Sequence, residues 1–320
     1  MTEIRQRTAH VNGVDLQVLE SGPADGPVVI LAHGFPESAW SWRHQLGVLG
    51  DAGWRTIAPD QRGYGASSRP ATVEEYGTDS LTADLIGLVD ETGREQAVFV
   101  GHDWGALIVW DLIRLHPERV RAVVGVSVPF IDWPIPPTQL FRQTFGDKFF
   151  YILYFQPVGP AERELEADPR RTMRTILWAA SAAGADREPR VLPADGTGFL
   201  DSMGDWPEEL PPWLTSEDLD RYTAAYEASG FFGPLSYYRN LDANHERVKD
   251  IAPAVATMPS FFIGGLLDGV ISRDPSGIDR MRRQLPGYRG EVLLPGVGHW
   301  TQQEAPDEFN EALLGFLKGL

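Results

Sequence analysis

The stretch Gln96-Ala97-Val98-Phe99-Val100-Gly101-His102-Asp103-Trp104-Gly105-Ala106-Leu107 passes from an apolar run through a Gly-x-Asp-x-Gly turn into an amphipathic segment. The run reads as a buried strand, and residues 106–116 read as a helix. A strand driven sharply into a helix needs small residues two places either side of the apex, because a Cβ there would strike neighbouring backbone. Gly101 and Gly105 meet that demand and leave Asp103 projecting above the end of a sheet. A serine at such an apex attacks carbonyl carbon. A carboxylate displaces a leaving group from saturated carbon and becomes an ester itself. The bland alternative, an acidic turn without chemistry, has to be weighed against the rest of the chain.

Outward from this turn the pattern alternates. Residues 7–11 and 14–19 flank Asn12-Gly13, a type I′ hairpin signal. Apolar strands are predicted at 28–32, 55–58, 97–100 and 122–128, with helices at 42–53, 80–92 and 106–116 between them. Strands alternating with helices indicate a parallel sheet with right-handed crossovers. The rhythm lapses at Pro129, Pro134, Pro136 and Pro137, and helices follow: 138–155, 169–183 behind an Asp168 cap, and 216–228 behind Thr215. Residues 186–213, rich in Pro, Gly and Asp, read as a long loop. Strands resume at 259–264 and 291–294, with helices at 278–284 and 306–317. The expected architecture is α/β: a core with a mostly parallel sheet (1–130 and 249–320), interrupted by a helical cap (131–248).

Composition narrows the partners. With 28 Lys+Arg against 45 Asp+Glu the net charge is −17, which argues against nucleic acid or an anionic membrane surface. There is no cysteine, so disulfides and thiolate metal sites are excluded. Residues 1–16 have no apolar core of a signal peptide, and no tract approaches a membrane span. A cytoplasmic protein is expected; the oligomeric state is not legible, and a homodimer stays open.

In an open parallel sheet, active groups collect at the carboxyl ends of strands. Four such ends carry chemistry: His33-Gly34-Phe35-Pro36, Asp103, Asp268 after Gly265-Leu266-Leu267, and His299 after Pro295-Gly296-Val297-Gly298. The chain order nucleophile, acid, histidine is that of α/β-hydrolases. His299 suits a base near neutral pH, and Asp268 suits the carboxylate that fixes its tautomer. Asp132 is the rival for that acid. His102 reads as a packed, hydrogen-bonded residue and His33 as a brace for its loop. A metal held by His33, His102 and Asp103 is unnecessary, since the glycines around the turn already account for these residues. Asp60-Gln61-Arg62-Gly63-Tyr64-Gly65 is glycine-rich but lacks the Gly-Lys-Ser/Thr ending of a phosphate loop, and reads as a structural turn in which Arg62 and Asp60 could pair.

Together these segments resemble the soluble epoxide hydrolases of the α/β-hydrolase fold. The likeness rests on His33-Gly34-Phe35-Pro36-Glu37-Ser38 with Ser41-Trp42-Arg43-His44-Gln45, on Gly101-His102-Asp103-Trp104-Gly105, and on Gly298-His299-Trp300-Thr301-Gln302. It rests also on Tyr151-Ile152-Leu153-Tyr154-Phe155-Gln156 and Tyr237-Tyr238-Arg239-Asn240. The resemblance implies that Tyr151 and Tyr238 activate an epoxide oxygen, with Tyr154 and Tyr237 as neighbours that could share the role.

On that footing, Asp103 would open an epoxide while two phenol hydroxyls meet the charge developing on oxygen. Water activated by His299 and Asp268 would then hydrolyse the aspartyl ester, with backbone N–H groups of Phe35 and Trp104 as oxyanion hole, to give a vicinal diol. Trp104, Phe155 and Trp300 are expected to line a site for a small apolar epoxide, in the manner of a detoxifying enzyme, with no cofactor and no metal. Two alternatives stay open: a haloalkane or haloacid dehalogenase using the same nucleophile, and a non-catalytic small-molecule binder on the same fold. A dehalogenase needs halide-holding donors; Trp104 offers one indole N–H and Phe35 none.

Overall fold

The computed structural model describes residues 2–185 and 190–320. Strands β1 (Arg5–Val11) and β2 (Val14–Ser21) form the hairpin, with Asn12 at φ 47° and Gly13 at φ 75°, the two left-handed residues a type I′ turn requires. Then follow β3 (Val28–Ala32), α1 (Arg43–Asp51), β4 (Arg55–Pro59), α2 (Thr78–Asp90), β5 (Ala97–His102), α3 (Trp104–Leu115) and β6 (Val120–Val126). After a helical stretch come β7 (Ser260–Gly265) and β8 (Tyr288–Leu294). The sheet order is β1-β2-β4-β3-β5-β6-β7-β8. β2 pairs antiparallel with β1 and β4, and the remaining pairings are parallel.

The central strands are apolar on both faces because helices cover both. Val28, Ile30, Ala32, Ala97 and Phe99 join one core cluster with Leu81, Leu85 and Leu88 of α2 and Ile108 and Leu112 of α3. The intervening Val29, Leu31, Val98 and Val100 join a second, with Leu46 and Leu49 of α1 and Phe309, Leu313 and Phe316 near the C-terminus. This two-residue alternation is the pleat, and each fully buried Leu or Phe contributes roughly 1.5–3 kcal/mol. The register pairs Ala32 with Gly101, His102 with Val126, Val126 with Ile263 and Gly265 with Leu294. The carboxyl ends of five strands therefore share one edge.

Between β6 and β7 the chain builds α4 (Pro137–Phe145), α5 (Tyr151–Tyr154), α6 (Pro160–Glu166), α7 (Pro169–Ala179), α8 (Phe199–Met203), α9 (Ser216–Ser229), α10 (Phe232–Arg239) and α11 (Leu241–Val248). Past β7 lie α12 (Gly269–Arg273), α13 (Gly277–Gln284), α14 (Thr301–Glu304) and α15 (Pro306–Leu317). Phe155, Leu177, Phe199, Phe231 and Tyr238 from the helical stretch belong to the same apolar cluster as Phe35 and Trp104. The helices thus sit directly over the active edge. Among the described residues, no helix is long and apolar enough to cross a membrane.

Three sequence expectations need correction. The helix expected over 138–155 is broken: Gly146, at φ 59°, ends α4, and Tyr151 begins a separate single turn. Arg62 does not pair with Asp60. Its Nε lies 2.6 Å from Asp84, while Asp60 accepts the Ala39 N–H at 2.8 Å. The loop expected over 186–213 contains a helical turn, α8, whereas its first four residues, 186–189, lie outside the described residues.

Candidate active site

Asp103 sits at φ 53° and ψ −115°, a strained conformation for a residue with a Cβ, costing of order 1–3 kcal/mol. The flanking glycines make it attainable. A Cβ on Gly101 would lie 2.1 Å from the Gly105 carbonyl oxygen, and one on Gly105 would lie 2.0 Å from that of Ala32. Gly34 is equally constrained, since a Cβ there would fall 2.4 Å from the Asp103 Cβ. That close approach lets the Phe35 N–H donate to Asp103 Oδ1 at 2.8 Å. Trp104, the first residue of α3, has no intrahelical acceptor for its N–H.

His299 follows β8. Its Nε2 is 3.5 Å from Asp103 Oδ2 and its Nδ1 is 2.9 Å from Asp268 Oδ2. Burial opposes a charged imidazole, but Asp268 and Asp103 outweigh it and hold the His299 pKa well above its ordinary value. Burial likewise opposes charge on Asp103, and His299, His102 and the Phe35 N–H reverse it, leaving that carboxyl below the usual range. Both shifts favour an imidazolium beside a carboxylate. Asp132, the rival acid, instead meets Arg114 at 3.0 Å.

The four candidate tyrosines fall into two kinds. Tyr154 donates its hydroxyl to Glu164 Oε2 at 2.7 Å, and Tyr237 donates to the Arg62 carbonyl at 2.9 Å. Both are occupied by structural bonds. Among the described residues, neither the Tyr151 nor the Tyr238 hydroxyl donates to a protein acceptor, and Tyr238 packs edge-on against the Trp104 ring. The rings of Tyr151 and Tyr238 lie 5.9 Å apart, and Tyr238 is 5.7 Å from Phe35 and 5.0 Å from Trp104. Burial first, and the negative Asp103 second, push both phenol pKa values upward, so both remain donors. Phe155 packs 5.1 Å from Tyr238 and 5.6 Å from Tyr151. Trp300 is buried 4.9 Å from the His299 ring, with its indole donating to the Leu177 carbonyl at 2.8 Å.

The other two histidines brace. His33 gives its Nδ1 proton to the Gly34 carbonyl and accepts the Gln61 N–H on Nε2, and burial pushes its pKa down to about 4. His102 places Nδ1 2.6 Å from Glu37 and donates from Nε2 to the His299 carbonyl at 2.8 Å, where Ser127 Oγ also donates. A carbonyl only accepts, which fixes that direction. Sequence reasoning gave no role to Glu37, Ser127, Gln303 or Glu304. Gln303 Nε2 donates to Glu37 at 2.7 Å, and Glu304 accepts three backbone N–H groups around His299. A polar run such as Gln302-Gln303-Glu304 ordinarily reads as a solvated helix face. The one available signal was its adjacency to His299.

Residues 27–152 match the family model of the α/β hydrolase fold. The chain is 49% identical over 317 residues to epoxide hydrolase A of Mycobacterium tuberculosis, covering 98% of each. It is 37% identical to epoxide hydrolase B of that organism, again over 98% of both. Among solved structures, it superposes on epoxide hydrolase A from Mycobacterium thermoresistibile with a TM-score of 0.91 at 46% identity over 99% of each chain. An epoxide hydrolase from an endophytic Streptomyces gives a TM-score of 0.91 at 38% identity over 99% of this chain and 96% of that one. The fold and the family match define an α/β-hydrolase-fold enzyme, with an aspartate at the strand-to-helix turn after β5. Within that fold the chain belongs to the epoxide hydrolase family.

Proposed function

We propose that the enzyme opens a small apolar epoxide to a vicinal diol through an ester on Asp103. Oδ2 of Asp103 attacks a ring carbon, the carbon–oxygen bond of the ring breaks, and the departing oxygen takes one proton from Tyr151 or Tyr238 while the other hydroxyl hydrogen-bonds it. Alkylation cancels the carboxylate charge that helps raise the His299 pKa, so the imidazolium gives up its proton, which restores the tyrosine hydroxyl, and the neutral imidazole can serve as base. His299, oriented by Asp268, then takes a proton from water as the water oxygen bonds the ester carbonyl carbon. The oxyanion forms on Oδ1, where the Phe35 N–H already lies 2.8 Å away, and the Trp104 N–H is its second donor. Collapse expels the diol oxygen, which takes that proton from His299, and the carboxylic acid left on Asp103 returns its own proton to the imidazole, restoring the starting state. The helical stretch 131–248 acts as a cap on the core formed by 1–130 and 249–320. Trp104, Phe155 and Trp300 contribute apolar walls.

The observation that supports this reading most is the placement of His299, bridging Asp268 at 2.9 Å and Asp103 at 3.5 Å. One turnover in heavy-oxygen water with enzyme in excess is expected to leave label in Asp103, because water attacks the carboxyl carbon. Label confined to the diol would mean direct attack of water on the epoxide.

A further inference from the structure

The loop that carries His299 is bound on one side by the core and on the other by the helical stretch. Toward the core, the His299 carbonyl accepts from His102 and Ser127. Toward the helices, the His299 N–H donates to the Ala180 carbonyl at 2.9 Å, just beyond the end of α7. The Trp300 indole reaches Leu177, also on α7. Gly298 packs so tightly there that a Cβ would lie 2.3 Å from the Ala182 nitrogen. At the centre of this seam is Glu304. Its Oε2 accepts N–H groups from Ala182 at 2.8 Å and Gly298 at 3.1 Å, and its Oε1 accepts that of Trp300 at 3.0 Å.

One carboxylate thus gathers N–H groups from both sides of the seam, two of them from the residues flanking His299. Bonds from N–H to an ionised carboxylate are among the stronger and more directional ones. The far end of the connection is the substrate side. Met173, Ile176 and Leu177 of α7 and Phe199 of α8 lie in one buried cluster with Tyr238 and Phe155, and the Phe199 ring is 5.7 Å from Tyr151. A displacement of α7 therefore moves both the wall behind the tyrosines and the backbone of His299.

We infer that Glu304 is a positioning residue that ties His299 to the helical stretch, so that the placement bringing Tyr151 and Tyr238 over Asp103 also sets the imidazole for ester hydrolysis. The inference rests on the proposed role of His299 as base. Its consequence is specific to one step: ring opening uses Asp103 and the tyrosines, whereas only the later hydrolysis uses the His299 imidazole as base.

Two substitutions test it. Glu304→Gln puts an amide NH2 against at least one of the three N–H donors. Ala182→Pro removes the N–H that crosses the seam and turns a ring carbon toward Glu304 and Gly298 in its place, at the first residue of a 3-10 turn where proline is tolerated; the preceding Ser181 is already extended at φ −76° and ψ 168°. With enzyme in excess over a styrene-type epoxide, both variants are expected to alkylate at close to the unmodified rate. Both are expected to hydrolyse the ester about 10- to 100-fold more slowly, the scale of a small misplacement of a catalytic group. A folded Ala182→Pro variant that hydrolyses the ester normally overturns the coupling, as does equal slowing of both steps. If Glu304→Gln does not fold, Ala182→Pro decides alone. His299→Gln, measured alongside, separates the two ideas. Normal ester hydrolysis in that variant removes the base assignment itself. A stalled ester there, with normal hydrolysis in Ala182→Pro, removes only the coupling.

Discussion

Replacing the tyrosines one at a time separates chemistry from packing, because hydroxyls only a turn apart have different partners. In Tyr151→Phe the lost hydroxyl had no protein hydrogen bond among the described residues, so the melting temperature should stay close to that of the unmodified enzyme. The rate should not. Losing one of two donors to a developing oxyanion costs about 2.7–4 kcal/mol, or about 10²–10³-fold in the alkylation step. Tyr154→Phe should show the opposite pattern. It removes the bond to Glu164, which retains the N–H groups of Phe199 and Leu200, so about 1 kcal/mol of stability is lost after solvent screening while alkylation is nearly unchanged. Tyr238→Phe should resemble Tyr151→Phe, since it takes a donor from the substrate while the ring stays packed against Trp104 and Phe155. Stopped-flow tryptophan fluorescence with excess enzyme reads alkylation, and calorimetry reads stability. If Tyr154→Phe slowed ring opening as much as Tyr151→Phe, the division between free and committed hydroxyls would be wrong.

Two further tests concern the acid and the ion pair. Asp268→Asn should slow ester hydrolysis by roughly 10³–10⁴-fold, as loss of a triad acid does. Asp132→Asn, which only loosens a contact with Arg114, should leave the rate nearly unchanged; the reverse order would reassign the acid. The sign of the His299 shift is also testable. Asp103 is one of two carboxylates raising that pKa, so in Asp103→Asn the imidazole followed by NMR should titrate at lower pH than in the unmodified enzyme. An unmoved titration would mean that the ion pair does not exist in solution, and with it would go the account of how alkylation frees the base.

Much of the fold and the placement of Asp103 at its turn could be read from one dimension because their causes are local. Gly101 and Gly105 are demanded by backbone geometry within five residues of one another, and Asn12-Gly13 by a two-residue turn. The strand runs at 28–32 and 97–100 are apolar throughout because both faces are covered, a pattern visible in composition alone. Asp103, Asp268 and His299 could be named because each follows a predicted strand, and strand ends in a parallel sheet share an edge. Gly146 was readable too, as a residue suited to positive φ, but the long apolar stretch around it favoured one continuous helix.

Only the tertiary structure decided which of several identical side chains is held by a protein partner. Tyr151 and Tyr154 are the same residue one turn apart. What distinguishes them is Glu164 on α6, which takes the Tyr154 hydroxyl and not that of Tyr151. Tyr237 is set aside by the carbonyl of Arg62 and Asp132 by Arg114, partners far away in the chain that no local pattern predicts. Glu37 and Glu304 look in sequence like solvated charge; they become structural when folding brings His102, Gln303 and the Ala182 N–H to them. A carboxylate's function depends on what surrounds it once water is removed, and that is settled by which distant segments meet.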